Sequence, residues 1–319
     1  MQPNHSQKPG KITRRRLLKG AVAVGAGITL AGPGSLSAIA APAATKGRIK
    51  HSIVKWCFET AGEKWNIEQL CGVAKELGCL SVELGPSSDY AVLKKHGLTS
   101  AIGQIDMSPE PPFLLGFNNP AHWPRVMAAT TLAIDEAAAA GTPSVICFTG
   151  YSAFDPKNPK SRHISLEKGA KNCVEGFKKM MKHAEKKGVT LCLEMLNSRE
   201  ASHPMKGHPG YQGDHTDYCI DIIKKVGSPR MKLLFDIYHV QIQDGDVIRR
   251  IRQIHEYIGH VHTAGNPGRG ELDNHQEINF PPIMEALIEV GYTGYVGHEF
   301  IPTRDPLQGL REAVTLCDV

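Results

Sequence analysis

Eight short β-prone segments alternate with longer segments of helical period, and this alternation predicts a single (β/α)8 barrel. The eight units occupy about 270 residues after position 50, close to the roughly 250 residues typical of this architecture. Alternating units of this kind imply parallel strands joined by crossover helices. An open doubly wound sheet is the alternative. It normally carries a glycine fingerprint after its first strand, and residues 58–62 offer none.

The strands are predicted from apolar runs bounded by turn-forming residues. Their expected ranges are 52–58, 80–84, 99–104, 144–148, 190–196, 232–237, 259–263 and 294–300. Helical period and capping residues predict helices over 66–77, 123–140, 166–187, 216–226, 246–257 and 281–290. Asn66 is the expected N-cap of the first helix, and five helices are expected to end at Gly78, Gly141, Gly188, Gly259 and Gly291. Long loops at 108–124 and 199–214 follow the third and fifth strands, and we expect them to shape the active site.

The positive charge of the chain is concentrated at its amino terminus. The 319 residues include 37 Lys and Arg against 32 Asp and Glu, a net charge of +5. Six of those cations and no acid lie in the first 40 residues, so the rest of the chain has 31 cations against 32 anions. The predicted barrel therefore lacks the basic excess typical of nucleic-acid binding, and we expect no nucleic-acid partner. No uncharged apolar run reaches the roughly 20 residues that cross a bilayer, which excludes a polytopic membrane protein.

Residues 1–40 have the three regions of an export signal. The run Thr-Arg-Arg-Arg-Leu-Leu-Lys at 13–19 resembles the twin-arginine (Tat) signal. An Ala- and Gly-rich apolar stretch follows, with small-residue cleavage sites between positions 38 and 43. A disordered basic tail with a chance Arg triplet is the alternative. We predict a signal peptide over 1–40, a barrel over 41–319, export to the periplasm, and no stable membrane insertion after processing.

The eight cysteines show no metal-binding or redox spacing. None belongs to a C-x-x-C pair or to a His-paired zinc motif. Cys57, Cys147 and Cys192 lie within apolar runs, where free Cys behaves as a small hydrophobic residue. We therefore predict eight free structural cysteines and no disulfide.

Four consecutive predicted strands end in side chains that can bind a metal. In chain order they are Glu194, Asp236, His262 and Glu299. The carboxyl ends of barrel strands meet on the face that carries the chemistry. Three carboxylates converging there would repel one another, and a divalent cation removes that conflict. An oxygen-rich donor set with one imidazole favours Mn²⁺, Mg²⁺ or Co²⁺ over structural zinc.

Motifs around these residues resemble those of the xylose-isomerase-like barrel superfamily, and within it those of the hydroxypyruvate isomerases. They are Glu-Met-Leu-Asn at 194–197, Phe-Asp-Ile-Tyr-His at 235–239, His-Val-His at 260–262, Asn-Pro-Gly-Arg at 266–269, Glu-Ile-Asn-Phe at 277–280 and Gly-Tyr-Val-Gly-His-Glu at 294–299. The resemblance is strong from about residue 189 to residue 302. Before that, only Val-Glu-Leu at 82–84 and the strand rhythm fit.

The resemblance implies a metal-dependent enzyme that transfers a proton between carbons of its substrate. The implied metal ligands are Glu194, Asp236, His262 and Glu299. Of these, Glu194 and Glu299 are also the implied acid/base pair. The implied substrate contacts are Glu200, His239 and Arg269.

Three nearby residues also have purely structural interpretations. Arg269 lies close in sequence to Glu271 and Asp273, so its structural interpretation is that it holds one of these acids instead of a substrate carboxylate. His239 could simply fill the mouth of the barrel. Trp56, near the end of the first predicted strand, is interpreted mainly as core and rim packing.

The reaction that the resemblance implies is the interconversion of hydroxypyruvate and 2-hydroxy-3-oxopropanoate (tartronate semialdehyde) through a cis-enediolate. Such isomerases often have Gln where this chain has His262, whereas the related ketose 3-epimerases have His there. A ketose or sugar-derivative 3-epimerase is therefore the nearest alternative, and a non-catalytic sugar-binding barrel is an alternative of another class. An endonuclease of abasic DNA on the same barrel is opposed by the charge of residues 41–319. The expected partner is a small hydroxy-carbonyl compound or sugar, and a homo-oligomer is left open.

Overall fold

The computed structural model describes residues 45–158 and 160–319, so the predicted signal peptide lies outside the described residues. These residues form a curled sheet of seven parallel strands surrounded by helices. The strands are β1 (Lys50–Val54), β2 (Ser81–Glu83), β3 (Ser144–Cys147), β4 (Thr190–Glu194), β5 (Met231–Asp236), β6 (Ile258–Thr263) and β7 (Tyr295–His298). Their order is β2-β1-β7-β6-β5-β4-β3, and every pairing is parallel.

The predicted strand at 99–104 connects the two edges of this sheet without forming a regular ladder. Parallel bridges join its ends to β2 and β3. Between the bridges, the Ser81 Oγ accepts a hydrogen bond from the Ala101 N–H at 2.8 Å, and the Ser144 Oγ donates to the Ala101 carbonyl at 2.9 Å. At Ala101, side-chain hydroxyls thus take the place of backbone partners, and the ladder is interrupted there. The predicted barrel is confirmed, with seven regular strands and one irregular one in the described chain.

Ten α-helices are present in the described residues. They are α1 (Lys55–Thr60), α2 (Ile67–Glu76), α3 (Tyr90–Lys95), α4 (Trp123–Ala140), α5 (Leu166–Lys187), α6 (Thr216–Val226), α7 (Ile237–Gln243), α8 (Val247–Ile254), α9 (Phe280–Glu289) and α10 (Pro306–Cys317). The predicted bounds of α4, α5 and α6 are confirmed. The predicted helix over 246–257 divides into α8 and a single 3₁₀ turn, His255–Tyr257.

Capping residues define several helix ends. At the start of α2, the Asn66 side chain and the Gln69 N–H are joined by a hydrogen bond of 3.0 Å, and a reciprocal bond of 3.0 Å completes a capping box. Helix α4 ends at Gly141, whose φ of 76° is left-handed, the conformation that glycine adopts without strain. The prediction that Gly259 ends a helix is wrong. Gly259 lies in β6, where a Cβ would come within 2.9 Å of the Cys192 Sγ.

The first predicted strand is shorter than expected. Strand β1 stops at Val54, and α1 begins at Lys55. Cys57 and Phe58 are fully buried in this helix. A short apolar run fits a buried helix as well as a strand, so periodicity alone did not separate the two.

The core is formed by aliphatic and aromatic side chains between the sheet and the helices. All eight cysteines are buried and free, as predicted. Within residues 45–158 and 160–319, none of the helices has the length and apolar character needed to cross a membrane.

Candidate metal centre

The four predicted metal ligands meet at the carboxyl end of the barrel. They come from four neighbouring strands: Glu194 ends β4, Asp236 ends β5, His262 is the penultimate residue of β6, and Glu299 directly follows β7. One ligand atom of each residue lies within 4.8 Å of those of the other three. All four residues are buried. We refer to these four residues as the carboxylate cluster.

The strand register and the strand-to-helix turns hold these side chains in place. Asp236 and His262 are register partners across β5 and β6. The Glu299 N–H donates to the Thr263 carbonyl at 2.9 Å, which extends the β6–β7 pairing to the cluster. Asp236 also begins α7, because its Oδ1 accepts from the Tyr238 N–H at 2.8 Å. One carboxylate therefore caps a helix with one oxygen and leaves the other oxygen for the cluster.

The donor atoms fit a divalent cation. The His262 Nδ1 lies 2.9 Å from the Glu299 Oε2 and 3.8 Å from the Glu194 Oε1. These are ion-pair distances without hydrogen-bond geometry, so within the described chain neither that nitrogen nor that Glu194 oxygen makes a hydrogen bond, although both atoms are buried. Buried polar atoms without partners are costly, and a bound ion satisfies them. Three carboxylates and one imidazole form a mostly oxygen donor set of the kind that hard divalent ions prefer.

Burial and neighbouring charges make the three carboxylates unequal. Burial raises the pKa of Glu194 to about 7, against the opposing effect of His262. Burial likewise raises the pKa of Asp236 to about 6, although the positive charge of Arg269 acts to lower it. Burial also opposes the ionisation of Glu299, but Arg269 and His262 outweigh it and hold its pKa well below the usual value. A further positive charge in the cluster lowers the cost of ionising all three.

Arg269 is buried at the edge of the cluster. Its Nη2 lies 2.6 Å from the Glu299 Oε2 and 3.4 Å from the Asp236 Oδ2. Its guanidinium carbon is 5.4 Å from the centre of the Trp56 ring, a cation–π distance. The structure thus brings this predicted substrate contact to the cluster, where it supplies a fixed positive charge.

The alternative partners of Arg269 bind elsewhere. The Glu271 carboxylate accepts hydrogen bonds from the Thr303 N–H at 2.8 Å and the Thr303 Oγ1 at 2.7 Å. Asp273 pairs with Arg304 at 3.3 Å. The interpretation in which Arg269 holds either acid is therefore wrong.

His239 is buried beside the cluster in a defined tautomer. Its Nδ1 accepts from the Asn197 backbone N–H at 3.1 Å and from the Asn197 side-chain amide at 2.7 Å. The ring proton is therefore on Nε2, which lies 3.6 Å from the Asp236 Oδ2. Burial holds the pKa of His239 well below its usual value, so the ring is neutral. His239 thus presents a neutral N–H donor toward the cluster.

Glu200 is not brought to the cluster. Its Oε1 accepts from the Ser202 N–H at 2.5 Å, and its own N–H donates to the Asn197 Oδ1 at 3.0 Å. Glu200 is not among the described residues that line the cavity beside the cluster. Its role as a substrate contact remains a prediction.

A cavity of about 510 Å³ opens beside the cluster. This volume falls within the roughly 300–1,000 Å³ of ligand sites. Glu194, Arg269 and Glu299 line part of it. Its apolar wall includes Trp56, Phe113, Phe148, Leu196, Met205 and Ile301. Phe113 and Met205 come from the loops at 108–124 and 199–214, as predicted for those loops.

Two contacts of the cluster go beyond the sequence-based predictions. The Trp56 Nε1 donates to the Glu299 Oε1 at 2.9 Å. Glu83, at the end of β2, lies 2.8 Å from the Nε2 atoms of both His260 and His262. Glu83 carries the same sequence signal as the ligands, an acid at a strand end. Trp56 carries no such signal.

The chain is similar in sequence to a known protein family and to individual known proteins. Residues 71–317 match the xylose isomerase-like TIM barrel family. The chain is 36% identical over 134 residues to the putative hydroxypyruvate isomerase of Homo sapiens, covering 42% of this chain and 48% of that protein. It is also 36% identical over 127 residues to the 2-oxo-tetronate isomerase of Cupriavidus necator, covering 40% and 46%. The chain therefore spans about half the length of the curated relatives it matches.

The barrel also resembles solved structures. The structure described as an AP endonuclease of family 2 from Brucella melitensis superposes with a TM-score of 0.70 at 24% identity. The match covers 82% of this chain and 97% of the other, and at this identity it concerns the fold alone. Because the family match extends over most of the barrel, the chain belongs to the xylose isomerase-like TIM barrel family.

Proposed function

We propose that the protein is a divalent-cation-dependent isomerase that interconverts hydroxypyruvate and 2-hydroxy-3-oxopropanoate. The observation that carries this proposal is the convergence of Glu194, Asp236, His262 and Glu299 within 4.8 Å at the carboxyl end of the barrel. The two relatives named as isomerases support the same class of reaction.

The proposed reaction moves protons without net oxidation or reduction. A proton leaves C3 of hydroxypyruvate and is returned to C2. A second proton moves from the C3 hydroxyl to the C2 oxygen, so that C3 becomes the aldehyde carbon and C2 carries the hydroxyl. Mn²⁺, Mg²⁺ or Co²⁺ held by the four cluster residues would supply positive charge that stabilises the anionic oxygen of the cis-enediolate.

Glu194 and Glu299 are the proposed acid/base pair. Both line the cavity, so both are accessible to a substrate. The Glu194 Oε1 faces the His262 Nδ1 at 3.8 Å and belongs to the cation site, which leaves the other oxygen of this carboxylate to exchange a proton. Glu299 is held by Trp56 at one oxygen and by Arg269 at the other. A positioned carboxylate of this kind contributes roughly 10²- to 10⁴-fold to proton-transfer rates.

The proposed substrate contacts complete the site. Arg269 provides the positive charge for a substrate carboxylate, and the His239 N–H donates to a substrate oxygen. Glu200 belongs to this proposal through the family resemblance, and it would have to leave its bond with Ser202 to contact a substrate.

A ketose or sugar-derivative 3-epimerase is the second candidate, and the cavity is the observation that favours it. Its 510 Å³ gives room for a substrate longer than three carbons. His262 is the residue that the resemblance associates with epimerases.

The test is a substrate panel with the full-length chain loaded with Mn²⁺, Mg²⁺ or Co²⁺. We expect turnover of hydroxypyruvate to exceed that of every ketose. Glu289→Gln, which removes a surface partner of Arg252, is the control variant and should leave hydroxypyruvate turnover unchanged. Ketohexose epimerisation without hydroxypyruvate turnover would replace this proposal with the second candidate.

Export to the periplasm is a separate proposal. It depends on the motif at 13–19. Replacing Arg14, Arg15 and Arg16 with Lys in the full chain should retain the protein in the cytoplasmic fraction. Unchanged export of this variant would contradict recognition by the Tat pathway.

A further inference from the structure

We propose that Glu83 is a positioning residue for His262. It binds the Nε2 of the imidazole ring and so orients the other nitrogen, Nδ1, toward the cation site. This proposal rests on the metal centre of the proposed function, but it does not depend on which substrate is turned over. The sequence marks Glu83 only as an acid at the end of a strand, and its contact with His262 becomes visible only in the closed barrel.

Glu83 reaches the metal centre across the inside of the barrel. It ends β2, which is separated from β6 by β1 and β7 in the sheet. Its Oε1 nevertheless lies 2.8 Å from the His262 Nε2 and 2.8 Å from the His260 Nε2. Glu83 and His262 are both 0% exposed, and His260 is 1% exposed. The contact is therefore a buried one that water does not screen.

The chemistry of a carboxylate fixes the position of the histidine proton. A carboxylate oxygen only accepts hydrogen bonds, so the His262 Nε2 must be the donor in this contact. In a neutral imidazole, the other nitrogen then carries a lone pair. That nitrogen, Nδ1, faces the Glu299 Oε2 at 2.9 Å and the Glu194 Oε1 at 3.8 Å. Glu83 thus selects the tautomer in which His262 can bind a cation at the cluster.

His260 holds the Glu83 carboxylate in this position. The rings of His260 and His262 are perpendicular, with centroids 4.9 Å apart, so both Nε2 atoms converge on one oxygen. Two ring N–H groups therefore donate to the same Glu83 oxygen, and this holds the carboxylate against the His262 Nε2.

The neighbouring strand leaves space for this arrangement. Gly297 in β7 is the register partner of His262. A Cβ on Gly297 would come within 2.4 Å of the Glu83 Oε1 and within 2.8 Å of the His262 Cδ2. Glycine at this position therefore allows the carboxylate and the imidazole to meet.

A second cation bound by Glu83, His260 and His262 is a weaker interpretation. Their ligand atoms do lie within 4.8 Å of one another. However, the Nε2 atoms of both histidines already face the Glu83 Oε1 at hydrogen-bonding distance. A neutral His262 also cannot offer a lone pair at both nitrogens. The geometry points to support of one metal centre.

Cobalt binding to the full-length chain tests this role without relying on turnover. The Co²⁺ dissociation constant and the visible Co²⁺ spectrum are measured for the wild type, Glu83→Gln and Glu83→Leu. We expect Glu83→Leu to weaken binding about 10- to 100-fold, the usual effect of losing such a supporting partner. Glu83→Gln keeps an acceptor oxygen but loses the charge, so its loss should be smaller.

Ser81→Ala is the matched control. Ser81 lies in the same strand and is also buried, and its hydroxyl bonds to the Ala101 N–H at 2.8 Å. This variant loses a buried hydrogen bond without touching His262, and we expect its Co²⁺ affinity to match the wild type. Folded Glu83→Leu protein with wild-type affinity and spectrum would overturn the proposal.

A measurement on the wild type covers the case in which the Glu83 variants do not fold. Imidazole ¹⁵N spectra, assigned with a His262→Gln variant, report which ring nitrogen of His262 carries the proton. We expect a protonated Nε2 in the Co²⁺- or Zn²⁺-loaded protein, and a protonated Nδ1 with a bare Nε2 would overturn the proposal. Co²⁺ binding that depends on Glu83, without any isomerase turnover, would instead reject only the proposed reaction.

Discussion

The Trp56 Nε1 donates a hydrogen bond of 2.9 Å to the Glu299 Oε1, and so joins helix α1 to the end of strand β7. The other oxygen of the same carboxylate is bound by Arg269. Glu299 is therefore fixed at both oxygens, and its direction toward the cluster is set by one indole and one guanidinium.

Trp56→Phe is expected to lower kcat about 10-fold or more, with a smaller change in KM. The substitution keeps an aromatic ring but removes one hydrogen bond to a charged group, a contact worth about 1.5–3 kcal/mol. Steady-state kinetics measure the effect. Trp65→Phe is the matched control, since the Trp65 Nε1 bonds to Glu63 at 2.9 Å, away from the cluster. Equal kinetics for the two variants would show that the hydrogen bond from Trp56 to Glu299 does not contribute to catalysis.

Glu194→Gln is expected to reduce isomerisation at least about 100-fold, because it removes one member of the acid/base pair. EDTA should abolish the activity, and added Mn²⁺ should restore it. Stopped assays of product formation, with thermal unfolding as a check of the fold, measure both effects. A non-catalytic sugar-binding barrel predicts a different result, in which Glu194→Gln retains ligand affinity and the wild type shows no turnover.

The cluster was predictable from the sequence because of a general property of parallel sheets. The carboxyl ends of adjacent strands meet at one edge, so polar residues that end consecutive apolar runs must come together. That rule placed Glu194, Asp236, His262 and Glu299 at one end of the barrel without any knowledge of side-chain rotamers.

The remaining contacts depend on geometry that the sequence pattern does not contain. The contact of Glu83 with His262 requires the closed barrel, because β2 and β6 are not neighbours in the sheet. The contact of Trp56 with Glu299 requires α1 to begin at Lys55, inside a run that was predicted as strand. The position of Glu200 depends on the conformation of its loop, which no periodicity determines.

Arg269→Gln is expected to lower the free energy of unfolding by about 3–5 kcal/mol in the absence of added metal. Arg269 is buried between Asp236 and Glu299, and removing one partner of a buried ionic group leaves charges uncompensated. Urea unfolding in the presence of EDTA measures the loss. Arg304→Gln, which breaks ion pairs at a more exposed site, is the control and should cost less than about 1 kcal/mol. Similar stabilities for the two variants would contradict the expected role of Arg269 in the cluster.

His51 is expected to make the barrel less stable as the pH falls from about 6.5 to about 4. Burial lowers the pKa of His51 to about 4, despite the opposing effect of Asp318. Because an unfolded histidine titrates near 6.5, the unfolded chain binds this proton first, and acidification favours unfolding by up to about 3 kcal/mol. Urea unfolding at several pH values should therefore show that the free energy of unfolding decreases less on acidification for His51→Asn than for the exposed control His255→Asn. Parallel pH profiles for the two variants would show that His51 does not carry this dependence.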